Sequence, residues 1–215
     1  MALVKVKWLG HAAFQIKGKD KTVYIDLGEG AAPSDKADLV LVTHSHWDHF
    51  DPKVIERVRK EGTVIIAPRD CIPKLGAGAR AVEPGDRLKV GDLEVRAVHA
   101  YNVKRFRSPG VPFHPKGFGV GYVLGIDGKS IYHAGDTDFI PEMKELKGVD
   151  VAILPTGDTY TMNNQEAADA AITINPKIAI PMHRWNTDPE EFRRIVESRS
   201  GVTAKILRVG EELEL

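Results

Sequence analysis

The sequence predicts a layered α/β fold, and two patterns carry that prediction. Short apolar runs of strand length recur along the chain, and several are apolar at nearly every position, as strands covered on both faces must be. In the last third these runs alternate with segments of helical periodicity, the pattern that lays helices against a sheet. With 215 residues and 42% hydrophobic content, the chain can bury one substantial core. No low-complexity or Pro/Ser-rich linker divides it, so residues 1–215 are expected to form one domain of two similar halves.

The first third reads as short strands joined by tight turns. "LVKVKWL", "AAFQIK" and "TVYIDL" are β-rich runs separated by Gly10 and by the polar turn "GKDK". "DLVLVTH" is apolar almost throughout and reads as a doubly covered strand. Asp51 and Pro52 read as the N-cap and first residue of a helix over "PKVIERVRK", followed by a buried strand, "TVIIAP". "DLEVRAV", "GVGYVLGI" and "SIYHAG" continue the strand pattern. The last third gives strand "DVAILP", helix "QEAADAAIT", strand "KIAIPMH", helix "PEEFRRIVES" and strand "TAKILRV". Asp188, Pro189 and Glu191 resemble a capping box for the second of those helices.

One stretch breaks the rhythm. "YNVKRFRSPGVPFHPKGFG", about residues 101–119, is too rich in Pro, Gly and basic residues for a strand or helix. Ordered loops of this length are commonly lids or binding loops.

Composition narrows the partners. Thirty basic and thirty acidic residues cancel, so no global field favours nucleic acid or a membrane surface. The single Cys71 excludes an internal disulfide framework and a cysteine-based zinc cluster, and suits a reducing cytoplasm. No run approaches the roughly 18 apolar residues of a membrane span, and "MALVKVKWLGH" lacks the pattern of a signal peptide. The expected setting is the cytoplasm and the expected partner a small molecule; a homo-oligomer is compatible with these residues.

The chemistry concentrates after "ADLVLV", in "THSHWDHF", where His44, His46, Asp48 and His49 fall within six positions. Core burial does not require such a cluster, whereas zinc, iron and manganese accept imidazole and carboxylate. Histidines two apart on an extended segment point to one side, so His44 and His46 can grip one ion. Asp48 and His49 follow where the chain turns into the helix and can face a second ion. Further ligands are offered by Asp136 in "YHAGDT" and His183 in "IPMHR", both at strand ends, where α/β sites are commonly built.

"HSHWDH" fits the HxHxDH signature of the metallo-β-lactamase superfamily, with "IDLG" before it and "YHAGDT" and a strand ending in "MH" after it. The resemblance runs from "WLGHAAFQI" to "DPEEFRRIV" and is strongest to the small hydrolases that include the ascorbate-lactone hydrolases. It implies a four-layer αβ/βα sandwich. It also implies that His44 and His46 hold a first ion, that Asp48, His49 and His183 hold a second, and that Asp136 bridges them. Asp26 is then the aspartate that braces the ligand loop, and His11 and His133 stand behind the ligands or line the pocket. The family's third ligand to the first ion aligns with Asn102, with His99 and His114 as alternatives. His114 is favoured, because Asn is a poor zinc ligand and His99 continues the inward face of "LEVRAV".

The chemistry so implied uses two divalent ions, zinc foremost, with manganese or iron as alternatives. A metal-bridging hydroxide would hydrolyse an ester-like bond, a lactone or a phosphodiester. Asp48 and His133 are the candidates for protonating the leaving group. Arg105 and Arg107, with Lys104 and Lys116 in the same loop, suit an anionic substrate. The alternatives are an iron-binding redox protein or a non-catalytic metal-binding relative of the same fold.

Overall fold

Strands form where the sequence is apolar and β-branched. The computed structural model describes residues 3–76 and 78–215. The chain opens with β1 (Lys5–Gly10), β2 (Ala13–Lys17), β3 (Thr22–Ile25) and β4 (Leu39–Leu41), then α1 (Pro52–Val58), β5 (Val64–Pro68) and β6 (Ala79–Val82). It continues with β7 (Arg87–Val90), β8 (Leu93–Ala100), a small hairpin of β9 (Phe106–Ser108) and β10 (Val111–Pro112), β11 (Gly119–Ile126) and β12 (Lys129–His133). Last come β13 (Val151–Pro155), α2 (Asn164–Ile174), β14 (Ile178–Met182), α3 (Pro189–Arg199), β15 (Thr203–Ala204) and β16 (Glu212–Glu214).

Two seven-stranded sheets result, ordered β16-β1-β2-β3-β4-β5-β6 and β15-β14-β13-β12-β11-β8-β7. Their facing sides share one apolar layer, in which Phe14, Ile25 and Leu41 meet Leu124, Ile153 and Ile180. Outside the first sheet, Val54, Ile55 and Val58 of α1 cover Tyr24, Val40 and Ile65. Outside the second, α2 and α3 place Ala167, Ala171, Phe192 and Val196 against Tyr132, Leu154 and Ala179. Helix, sheet, sheet, helix is the four-layer αβ/βα sandwich, each apolar face buried against the next. Among the described residues, no helix is long and apolar enough to cross a membrane.

Several elements depart from their expected bounds. The "DLVLVTH" strand closes at Leu41, because the Thr43 amide is taken by the Asp26 side chain instead of a neighbouring strand. "TAKILRV" pairs only at Thr203 and Ala204. Strands β6, β7 and β16 carry "ARAV", "RLKV" and "ELE", charged patterns that suit sheet edges and hide the strand signal. The capping box belongs to the other helix: Asn163 and Glu166 close it at the start of α2. Glu191 instead accepts from Asn164 Nδ2 at 2.8 Å, tying α3 to α2.

The parallel strands β3, β4 and β5, and likewise β12, β13 and β14, run side by side. Residues that leave β3, β4, β12 and β14 at their C-terminal ends are Asp26, the 43–49 loop, Asp136 and His183, and these ends meet at one edge of the sandwich.

Candidate metal centre

The loop after β4 is held by Asp26. Its carboxylate accepts from the Thr43 amide (2.8 Å), the Thr43 hydroxyl (2.7 Å) and His49 Nδ1 (2.7 Å). Asp26 has a left-handed backbone, φ 54°, which turns the chain away from the sheet so that the side chain points back into the loop. With Nδ1 of His49 committed to Asp26, Nε2 is the free nitrogen facing the site, the usual way a second partner orients a histidine ligand.

Three histidines converge on one point. His46 Nδ1 lies 3.1 Å from His44 Nε2 and 3.2 Å from His114 Nε2. His44 Nδ1 is 3.0 Å from the Thr43 hydroxyl, and His114 Nδ1 is 2.8 Å from the Asn102 side-chain oxygen. Those outer partners take the ring protons, so the inner nitrogens present lone pairs to one another. Three nitrogens around a tetrahedral zinc at about 2.0–2.1 Å would stand roughly 3.3 Å apart. Burial holds the three rings neutral: it carries His44 well below the ordinary imidazole range, lowers His46, and pushes His114 down to about 4.

A second group gathers His11, Asp48, His49 and His183, with ligand atoms all within 4.8 Å of one another. Asp48 Oδ2 lies 3.0 Å from His11 Nε2, 3.7 Å from His183 Nε2 and 3.8 Å from His49 Nε2. Asp136 reaches both groups. Its Oδ2 is 3.3 Å from His114 and from His183, and its Oδ1 is 3.3 Å from His49.

The electrostatics of this group are opposite to those of the first. Burial pulls His183 down, but the Asp136 and Asp48 carboxylates outweigh it and raise the imidazole to about 9. His49 is likewise raised against its burial by Asp136 and Asp26. Burial opposes ionisation of Asp48 and Asp136 too, yet the surrounding histidines hold both well below the usual carboxylate range.

The donor set fits a cation. Nε2 of His49, both nitrogens of His183 and Oδ1 of Asp136 are buried without a hydrogen-bond partner. An unsatisfied buried polar atom costs about 1–3 kcal/mol, and three of these, His49 Nε2, His183 Nε2 and Asp136 Oδ1, converge at the Asp136 carboxylate. His49 Nε2 and Asp136 Oδ1 are close but not aligned to bond to each other, as atoms aimed at a shared third party would be.

Glycines let these loops crowd together. A Cβ on Gly28 would overlap the Asp48 carbonyl and stand 2.6 Å from His49 N. One on Gly119 would stand 3.0 Å from the His44 Cβ, and one on Gly157 would overlap the His183 carbonyl. Sequence reasoning passed over all three as site residues. Their one signal is position: Gly28 and Gly157 each follow an apolar run by one or two residues, where a ligand loop begins.

Other expected site residues are placed elsewhere. His133 does not face the cluster: it is fully buried, with Nε2 donating to the Ala12 carbonyl (2.9 Å) and Nδ1 accepting from the Gly135 amide (3.2 Å). Both nitrogens are occupied, so it ties the turn beside His11 to the turn beside Asp136 and has no proton to offer a substrate. Asp48 is held ionised by its histidines, which suits a ligand and not a proton donor. His99 belongs to neither group; its ring meets Tyr101 at 6.1 Å. Asn102 faces away from the converging nitrogens and aims His114, accepting from both its amide and its ring.

Arg105 does not reach the cavity. Its side chain, 11% exposed, is held by Asp138, Asp158 and Glu166, while Lys104 pairs with Glu166 and Lys116 with Glu142. Asp138 also accepts the amides of Val103 and Lys104, both at 2.7 Å. These contacts pin the base of the 101–119 loop. The cavity above the cluster, about 270 Å³, is lined by Arg107 together with Trp47, Phe113, Tyr160 and Trp185.

A helix-covered pair of sheets that closes its strand ends on adjoining His and Asp groups is the architecture of the metallo-β-lactamase class of metal-dependent hydrolases. Known proteins bear this out. The family model described as the beta-lactamase superfamily domain matches residues 5–183. A UPF0173 metal-dependent hydrolase of Thermococcus kodakarensis is 39% identical over 229 residues, covering 99% of this chain and 100% of the relative. A solved structure from Parabacteroides distasonis superposes with a TM-score of 0.88 at 35% identity, over 97% of this chain and 94% of that one. Igni18, a metallo hydrolase from Ignicoccus hospitalis, gives 0.81 at 27% identity, over 99% and 98%. The chain belongs to the beta-lactamase superfamily and, within it, to the UPF0173 metal-dependent hydrolases.

Proposed function

We propose that this protein hydrolyses an ester-like bond, a lactone or a phosphodiester, in a small anionic molecule, using two divalent ions with zinc as the preferred metal. The observation that carries the reading is Asp136, one buried carboxylate whose two oxygens face imidazoles of both groups. In this reading His44, His46 and His114 hold one ion, Asp48, His49 and His183 hold the other, and Asp136 spans them. When bound, such ions supply Lewis acidity: they make a water acidic enough to attack near neutral pH and polarise the scissile oxygen.

The chain's residues supply the geometry. Asp26, Thr43 and Asn102 fix which nitrogen of His49, His44 and His114 faces inward. Arg107, the one permanent cation among the described residues lining the cavity, meets the substrate's negative group. The ring of Phe118, 5.2 Å from His46 and 5.8 Å from His44, shields the three-histidine group on one side. In the net reaction the C–O or P–O bond breaks. Water's hydroxyl goes to the acyl or phosphoryl centre and its proton to the leaving oxygen.

The test pairs elemental analysis with a lactone and phosphodiester panel. Two ions per chain and turnover of one bond class are expected, with Asp136→Ala losing turnover while circular dichroism shows the fold intact. A variant that keeps most of the rate removes the bridging role. A single ion that survives joint loss of Asp48 and His49 removes the second site.

A further inference from the structure

The cavity has a wall that metal binding does not require. The rings of Phe113 and Tyr160 meet edge to face, 4.8 Å apart at 89°, and Tyr160 continues to Trp185 at 6.4 Å. Trp47 lines the same cavity from the ligand loop. Trp47 and Trp185 are 63% and 51% exposed, a large apolar surface left in water at the mouth of a charged site. Clustered exposed apolar surface of this kind marks a binding region.

The placement of Trp185 is built. Its backbone is left-handed, φ 44°, a conformation a bulky residue rarely adopts unless its surroundings impose it. Gly157 leaves the room it needs, since a Cβ there would stand 2.6 Å from the indole Cδ1. The indole also packs edge-on to His183 and His11, at 5.7 and 5.1 Å, so the aromatic wall runs to the second ligand group.

Size and charge narrow the ligand further. A dry cavity of about 150 Å³ takes up benzene, so about 270 Å³ has room for one ring beside the reacting group. Arg107 stands beside Phe113, its guanidinium 5.9 Å from that ring and donating to the Phe113 carbonyl at 3.1 Å.

We infer that the cavity selects substrates carrying an aromatic ring next to the hydrolysed bond, with the ring against Trp185 and Tyr160 and a single anionic group at Arg107. The choice of bond rests on the hydrolase reading above; the ring subsite does not.

Calorimetric titration with phenylacetate and cyclohexylacetate separates flat stacking from mere hydrophobicity, because both carry one carboxylate and one six-membered ring, flat and aromatic in the first, puckered and more apolar in the second. Zinc-loaded and metal-free protein are both titrated, since a carboxylate can bind an ion directly but that contact is common to both probes. About tenfold tighter binding of phenylacetate is expected, from ring stacking. Trp185→Leu should abolish the preference, Trp185→Phe should retain most of it, and Arg107→Gln should weaken both probes alike. Equal binding of the two probes overturns the subsite, as does a preference untouched by Trp185→Leu in a variant with native circular dichroism. Aliphatic lactones turned over as fast as aryl ones would also overturn it while leaving the hydrolase reading in place. A ring preference without hydrolysis of any ester would uphold the subsite and remove that reading.

Discussion

On the two-ion reading proposed above, Gly28→Ala should damage one metal position and spare the other. The added Cβ overlaps the Asp48 carbonyl, and its mildest backbone contact is 2.6 Å to His49 N. Real Cβ contacts do not fall below 3.0 Å, so even that contact must open by about 0.4 Å and the Asp48 carbonyl must move further. Neither neighbour is a flexible side-chain tip; both belong to the peptide joining two ligands of the second group. Functional constellations tolerate about 0.5 Å of misplacement, and His49 is also tied to Asp26 at 2.7 Å, so it cannot follow freely. Overpacking of this kind costs about 1–3 kcal/mol; at 215 residues, 2 kcal/mol lowers Tm by about 4–8 °C. Affinity for one ion of two should fall roughly 10–100-fold, the usual penalty for disturbing a ligand's support. The three-histidine group should hold its ion unchanged. Chelator competition with zinc, read beside thermal melts, checks both effects. Gly201→Ala is the control, since nothing lies within 4 Å of that position. Two ions bound with native affinity in Gly28→Ala would refute the claim that the Gly28 loop buttresses the second group.

The remaining predictions concern the loop and the protons. His114→Ala should weaken one ion while His99→Ala leaves both, and the reverse pattern in the same zinc titrations would move the ligand to His99. Arg105→Ala should lower stability by roughly 3 kcal/mol, because Asp138, 1% exposed, keeps its backbone amide donors but loses the guanidinium that neutralises its buried charge. Arg107→Ala should leave Tm unchanged and raise KM for an anionic substrate by more than it lowers kcat; a KM effect from Arg105 with native Tm would reverse these roles. In the metal-free protein His183 titrates near 9 against an ordinary 6.5, so zinc must expel its proton at neutral pH. His49 is raised as well, so zinc affinity at the second group should rise at least tenfold per pH unit from 6.5 towards 9, while the neutral histidine trio shows no such slope. The raised pKa also stabilises the metal-free fold fully below pH 6.5, and that contribution is lost as pH rises through 9. Equal pH slopes for both ions in chelator competition would contradict the assignment.

What the sequence determined by itself is the layered fold and the local part of the site. Periodicity and apolar runs depend on neighbouring residues, so strands such as "GVGYVLGI" and the helix capped by Asp51 were legible as written. The spacing of His44, His46, Asp48 and His49 on one short loop is likewise local, and Asp136 and His183 announce themselves by following apolar strands. Edge strands were not legible, because "RLKV" and "ELE" look like solvated turns until a neighbouring strand pairs with them.

Only the tertiary structure decided which distant groups meet. His114 rather than His99 joins His44 and His46, because the path of the 101–119 loop, pinned by Asp138 on the Arg105 side, carries it there. His133 lies three residues before Asp136, and nothing in its spacing or motif tells it from a catalytic histidine; only its contacts to Ala12 and Gly135 show it occupied. Arg105 and Arg107 are two apart in one loop, yet the carboxylates that hold the first come from Asp138, Asp158 and Glu166, far along the chain. Whether a polar side chain is free to act depends on what neutralises it, and those partners are brought together by the fold instead of by adjacency in sequence.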